Sequence, residues 1–368
     1  MSTKKLRSGY TTGTCAAAAA GAAARMLLTG ALLHETEILL PAGKHLTLPL
    51  TDVQRNADAV SCAVVKDSGD DPDITNGIAV YARVSCGGEG VAITGGEGIG
   101  IVTKPGLDQP VGAYAINSVP RRMIAQAVRQ AAEDCGAECG FRVEIFIPGG
   151  AELARKTYNP HMGIEGGLSV IGTSGIVEPM STAALIDTIR LEINMRKAAG
   201  ERILLLTLGN YGEQFLVRNH AALSGREVRC SNFLGDAVEM GMDAGFEGIL
   251  IVGHIGKLVK LGGGIFLTHS AVADGRMETL IACGVLAGAD PGVLRKLTDC
   301  VTVDAALDIL DGAGCMQDVL NALTERIGYY LKRRVKGSIP IGAAIFSYQH
   351  DIWLETEDAP ALLQRMEG

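Results

Sequence analysis

The sequence predicts an α+β N-terminal domain followed by an α/β, Rossmann-like domain with a mostly parallel sheet and a helical C-terminal extension. Three observations carry that expectation. Strand-like runs crowd the first half of the chain around one Ala-rich helix. In the second half, hydrophobic runs repeatedly end in a glycine loop that enters helical sequence. Residues 276–335 then keep a helical period almost without interruption. A length of 368 residues allows two domains, each with its own core.

The Ala-rich helix comes first. "GYTTGTCAAAAAGAAARML" holds eight alanines in the nine positions 16–24. Arg25 interrupts the run, alanine is only weakly apolar, and no stretch reaches the ~20 strongly apolar residues of a membrane span. A secretory leader and a membrane anchor are therefore not expected. Alanine is the best helix former, Thr12 or Thr14 can cap the start, and Gly30 can close the end.

Strands follow. "EILLPAG", "HLTLPL", "SCAVVKD" and "IAVYARV" alternate or are β-branched, and "GGEGIGIVTKPG" is a glycine-rich loop set in strand-like sequence. "NSVPRRMIAQAVRQAAEDCG" reads as a helix with Pro120 at its entrance, and "FRVEIFI" as a further strand. The composition changes near "IPGGAELA", which sets the expected domains at 1–148 and 149–368.

In the second domain four strand–loop–helix junctions are expected, with loops Gly172–Gly175, Gly209–Gly212, Ser231–Gly235 and Gly253–Gly256. Alternation at this spacing implies βαβ units whose loops gather along the carboxyl edge of a parallel sheet, where open α/β sheets bind ligands. The hairpin-like "PIGAAIFSYQHDIWLE" follows the helical extension. Its sequence does not say which domain it joins.

Composition narrows the chemistry. Aromatics are scarce, glycine is abundant at 48 residues, and the net charge of -8 disfavours general nucleic-acid binding. Nine cysteines at irregular spacing, with no CxxC pair, read as reduced and mostly buried thiols of a cytoplasmic protein. There is no GxxxxGK[ST], no GxGxxG entering a helix, no HExxH and no GxSxG. No protein metal site is expected.

What remains is a set of helix N-termini, each a potential anion site through its free N–H groups and dipole. Thr11, Thr12 and Thr14 stand at one of them, and Lys104, Arg121 and Lys257 stand near glycine loops or helix starts, with Arg155, Lys156 and Lys260 as further cations. Together they suit a ligand with several carboxylates or phosphates. His254, His269 and Asp274 lie close in sequence around one helix and are candidates for proton transfer or ligand orientation; the plainer reading is structural histidine. His161 is a further candidate.

"GYTTGTCAAAAA", "GGEGIGIVTKPGL", "AINSVPRRMI", "TYNPHMGIEGGLSVIGTSGIVEPMS", "GNYGEQFL", "SNFLG" and "GHIGKLVKL…THSAVAD" resemble, in order, the signature blocks of the CbiD family. The resemblance covers residues 8–275 and carries little beyond them. Ser118 stands where the family pattern suggests proline, and His161 where it suggests arginine, which weakens a catalytic assignment for His161.

The resemblance implies methyl transfer from S-adenosylmethionine to carbon 1 of cobalt-precorrin-5B, giving cobalt-precorrin-6A in anaerobic cobalamin biosynthesis, with cobalt present only inside the corrinoid substrate. On that basis the cofactor is expected over Gly209, Asn210, Tyr211, Gly212, Asn232, Gly235 and Gly253. The corrinoid is expected between the domains against Thr11, Thr12, Thr14, Lys104, Arg121 and Lys257, with His254, His269 and Asp274 as the catalytic candidates. No acid ends the second strand of the loop set, where Ser231-Asn232 stands, so a typical methyltransferase pose does not transfer. The corrinoid is the expected partner, with a homo-oligomer and transient contact with neighbouring pathway enzymes allowed. Two other readings stay open: a non-catalytic tetrapyrrole carrier, and a phosphometabolite enzyme.

Overall fold

The computed structural model describes residues 6–367. Its contacts separate two compact units, Met1–Thr182 and Ala183–Gly368. The boundary therefore lies at 182 rather than 148.

In the first unit β1 (Gly9–Tyr10) leads into α1 (Thr12–Thr29), then the hairpin β2 (Glu35–Leu39) and β3 (His45–Pro49). Strands β4 (Thr51–Arg55), β5 (Ala59–Val65), β6 (Ala79–Cys86), β7 (Val91–Gly95) and the short β8 (Ile101–Val102) precede α2 (Ser118–Asp134). The unit finishes with β9 (Phe141–Phe146), the single turn α3 (Gly150–Ala154), β10 (Ile164–Glu165) and β11 (Ile176–Val177). The main sheet runs β4-β5-β6-β9-β7 and is antiparallel except for the β7–β9 pair. Residues 149–182 belong here because β10 pairs with β8 and β11 with β1. The expected first junction, Gly172–Gly175, is thus no part of a parallel sheet.

The alanines of α1 answer a packing demand. The helix is buried along nearly all its length between α2 and strands β5 and β6. A Cβ on Gly21 would stand 3.0 Å from Ala127 Cβ of α2, so only small residues let the two helices meet. The glycine-rich loop is likewise a packing device. Gly98 has φ +74°, and a Cβ there would fall 1.9 Å from the Ile147 carbonyl oxygen.

The second unit opens with α4 (Thr182–Ala198), β12 (Ile203–Thr207), α5 (Asn210–Asn219), β13 (Val228–Arg229), α6 (Leu234–Asp243) and β14 (Gly248–His254). After β14 come α7 (Ile255–Leu258) and a 3-10 turn, Val259–Gly263. Helices α8 (Arg276–Leu286), α9 (Pro291–Leu297), α10 (Val303–Gly312) and α11 (Met316–Arg334) form the extension. The chain ends with β15 (Ile341–Ser347), β16 (Ile352–Glu355) and α12 (Ala359–Glu367). The sheet order is β13-β12-β14-β15-β16, parallel except for the edge pair β15–β16. The late hairpin therefore joins this unit, and its first strand lies inside the sheet.

Alternate strand residues feed opposite cores. Ile203, Leu205, Leu250 and Val252 pack with Leu216 of α5 and Leu362 of α12. Leu204, Leu206, Ile249 and Ile251 pack with α4, α6 and the helices of the extension. Burial on both faces explains the unbroken hydrophobic runs "ILLLT" and "GILIVG".

All nine cysteines are free. Cys15, Cys62, Cys230 and Cys283 are buried; Cys86, Cys135 and Cys139 are exposed, so burial is less general than expected. No helix among the described residues is long and apolar enough to cross a membrane.

Candidate functional site

From β12 the chain crosses to β13 on one side and returns to β14 on the other, with α5 and α6 on opposite faces. Connections that diverge in this way leave a crevice at the carboxyl ends of the two central strands. Its borders are Gly209–Tyr211 after β12 and Gly253–Gly256 after β14. Gly209 has φ +85° and ψ -168°, a conformation open essentially to glycine, which starts α5 at the next residue. No side chain caps α5. The exposed Tyr211 ring lies 5.9 Å from the His254 ring, tilted by 41°.

His254 is the last residue of β14 and the N-cap of α7. Its Nδ1 accepts a hydrogen bond from the Gly256 N–H at 3.1 Å, so the neutral ring carries its proton on Nε2. Burial pushes the imidazole pKa below its usual 6.5, opposed in part by Asp304. Phe346, its register partner on β15, meets the ring edge-on at 5.6 Å. With Nδ1 occupied, the arrangement favours a donor that steadies a ligand over a base that takes a proton.

Asn232 lies in the loop after β13, behind Ser231, whose φ is +52°. Its Oδ1 accepts from Lys257 Nζ at 3.2 Å and from Thr268 Oγ1 at 3.3 Å. Lys257 is therefore held as a partner of Asn232, which joins the loop after β13 to the turn after β14. Beside α5, Asn210 lines a depression of about 370 Å³ together with Glu213, Gln214, Val217, Arg218 and Arg229.

Several expected residues serve the fold instead. Gly212 is buried over Thr207, Gly253 is buried against Leu258, and the buried Gly235 donates its N–H to Phe266 O at 3.4 Å. His269 is exposed, and its ring Nδ1 accepts from the Ala271 N–H, two residues on. Asp274 is gripped by Arg276, whose Nη2 lies at 2.8 Å, and that pairing holds the carboxyl below its usual range, so it stays ionised and is a weaker proton acceptor than a free carboxylate.

The substrate candidates of the first unit do not converge. Thr11 caps α1 by accepting from Thr14 N, Thr14 Oγ1 donates to Gly175 O at 2.7 Å, and Gly13 N donates to Ile171 O at 3.0 Å. Loop 171–175 thus closes the helix mouth, and Thr11, Thr12 and Thr14 are buried beneath it. Arg121 donates to Ile116 O and Ile93 O at 2.8 and 3.1 Å, so its guanidinium braces backbone. Lys104 is exposed and reaches His161 O at 3.3 Å, while the His161 ring stacks on Tyr158 at 5.2 Å. Sequence reasoning missed Thr268, Phe346 and Asp304. Phe346 sits on a strand whose partner was not legible, and Thr268 matters only through a contact with a residue 36 positions away.

Comparison with known proteins follows the same layout. The family model described as CbiD matches residues 1–179, and the model described as CbiD, C-terminal domain, matches residues 267–357. The likeness therefore extends past 275, where the motifs thin out. A protein of Alkaliphilus metalliredigens named cobalt-precorrin-5B C(1)-methyltransferase is 42% identical over 362 residues, 98% of this chain and 95% of the relative. One of the same name from Moorella thermoacetica is 41% identical over 360 residues, 98% of each chain. A crystal structure titled cobalamin biosynthesis protein (cbiD) from Archaeoglobus fulgidus is 26% identical, covering 70% of this chain and 80% of that one, with a TM-score of 0.38. Such identity across nearly the whole length, with family models matching in both units, means that the chain belongs to the CbiD family.

Proposed function

We propose that this protein is a methyltransferase that acts on carbon 1 of cobalt-precorrin-5B, with S-adenosylmethionine as methyl donor, and yields cobalt-precorrin-6A. The observation that carries this reading is the near full-length identity to relatives that bear that name. The mostly parallel sheet of the second unit supports a Rossmann-like donor site in the crevice between β12 and β14. Free thiols suit a reducing cytoplasm.

When bound, the donor supplies an electrophilic methyl on a sulfonium, which the ring carbon takes while sulfur keeps the electron pair. The chain's own residues have to bind, orient and exclude water. Asn210 and Asn232 offer hydrogen bonds to the polar parts of the donor. The exposed Tyr211 ring offers apolar surface beside His254, and the buried Phe346 packs against that imidazole from the core. His254 offers a neutral N–H at Nε2. A neutral wall suits this chemistry, because a carboxylate beside the sulfonium would stabilise the charged ground state more than the transition state. Ser231-Asn232 at the end of β13 fits that demand.

The test is anaerobic incubation with cobalt-precorrin-5B and methyl-labelled S-adenosylmethionine, followed by mass spectrometry of the corrinoid. One labelled methyl at carbon 1 is the expected result. Tight corrinoid binding with no transfer would instead favour a tetrapyrrole carrier.

A further inference from the structure

Lys260 is 1% exposed, yet its nearest carboxylate oxygen, on Asp274, is 3.9 Å away. Its ammonium instead donates to Ala273 O at 2.9 Å, Thr268 O at 3.0 Å and Ser270 Oγ at 3.3 Å. Burying an ammonium without a close counter-ion is costly. What it secures is the loop 268–273. Thr268 of that loop meets Asn232 twice: its N–H donates to Asn232 O at 3.0 Å and its hydroxyl to Asn232 Oδ1 at 3.3 Å. Lys257, one helical turn before Lys260, donates to the same Oδ1. With two donors on Oδ1, the carboxamide cannot turn over without losing both bonds. Its NH2 has no acceptor among the hydrogen bonds of the described residues.

We infer that Asn232 is a fixed hydrogen-bond donor for an anionic oxygen of the methyl donor, namely the carboxylate of its amino-acid part, and that Lys260 is the positioning residue that holds Thr268 against it. This rests on the methyltransferase reading above. The local charge agrees: Lys257 and Lys260 lie on the Asn232 side of the loop, and Asp274 is already matched by Arg276. A carboxylate there gains a charge-assisted bond and the field of Lys257. A ribose hydroxyl would gain only a neutral hydrogen bond from the same NH2 and nothing from the field of Lys257.

The experiment is calorimetric binding to the full chain of S-adenosylmethionine and of its decarboxylated analogue. Asn232→Asp keeps an oxygen for Lys257 and Thr268 but replaces the NH2 with a second oxygen. It should weaken S-adenosylmethionine roughly ten- to hundredfold, the range of one charge-assisted hydrogen bond. The decarboxylated analogue keeps its ammonium and sulfonium and has no carboxylate to be repelled, so its binding should be unchanged or tighter. Lys260→Met should move the two ligands in the same unequal way. If that variant fails to fold, Thr268→Val against Thr268→Ser decides, because only serine keeps the hydroxyl donor. Unchanged S-adenosylmethionine binding in Asn232→Asp, or equal loss of both ligands, overturns the inference. Wild-type protein that binds neither ligand overturns the methyltransferase reading instead.

Discussion

At the scale of single residues the structure sets protonation states, and these are testable. His254 has its folded pKa pushed below the usual 6.5 by burial, so at low pH the unfolded chain binds the extra proton first. Its contribution to stability is therefore complete above about pH 6.5 and is lost as pH falls through the folded value. Urea unfolding of wild type and His254→Gln at about pH 7.5 and about pH 5.5 should show a smaller acid loss in the variant. In the rate profile the same substitution should remove an acid limb, because a protonated ring would put a second cation beside the sulfonium. Asp73 makes the complementary case. Burial alone would raise its pKa, but hydrogen bonds from Lys66 and Thr75 prevail and hold it below the usual value. Its stabilising contribution is thus present above the ordinary carboxylate pKa and lost as pH falls through the folded value. Lys66 is 4% exposed, so Asp73→Ala strands a buried ammonium. The expected cost is about 3 kcal/mol in chemical denaturation, the lower end for a broken buried pair.

Elements are held by packing tolerances and caps. Ala20 is fully buried in α1, which packs closely against α2 and strands β5 and β6. Ala20→Leu should destabilise the protein by about 1–3 kcal/mol, as overpacking does in close-packed cores. At α9 the Asp290 carboxylate caps the helix by accepting from Gly292 N and Val293 N, with Pro291 at the first helical position. Asp290→Ala should cost about 1 kcal/mol, read as a shift in denaturation midpoint with an unchanged slope.

On the scale of the whole molecule, the second unit depends on chain ends meeting. β15 arrives from residues 341–347 to lie between β14 and β16, and all seven of its residues are buried. A chain ending at residue 336 would leave β14 as an open, hydrophobic edge. Such a truncation is expected to be insoluble or aggregated on size-exclusion chromatography. Ala344→Asp, which puts an unpaired charge into the core beneath α12, should have the same effect in the full chain.

Much of this could be read before any coordinates. Gly30 marks the end of α1, the alternating runs mark β5 and β6, and the loops Gly209–Gly212, Ser231–Gly235 and Gly253–Gly256 follow parallel strands, all through local backbone and side-chain physics that neighbouring residues decide; the cap of α1 falls on Thr11 rather than on the expected Thr12 or Thr14, because Thr11 is the one whose hydroxyl accepts from Thr14 N. The family, too, was legible in its ordered motifs. Tertiary structure decided the rest. It assigned residues 149–182 to the first unit through pairings between segments far apart in sequence, and it closed the α1 mouth with loop 171–175. It also turned Lys257, Thr268 and Lys260 from scattered polar residues into the support of Asn232. Local propensity speaks for a residue's own helix or strand. Which carbonyl a lysine finds at its tip depends on the path of the whole chain.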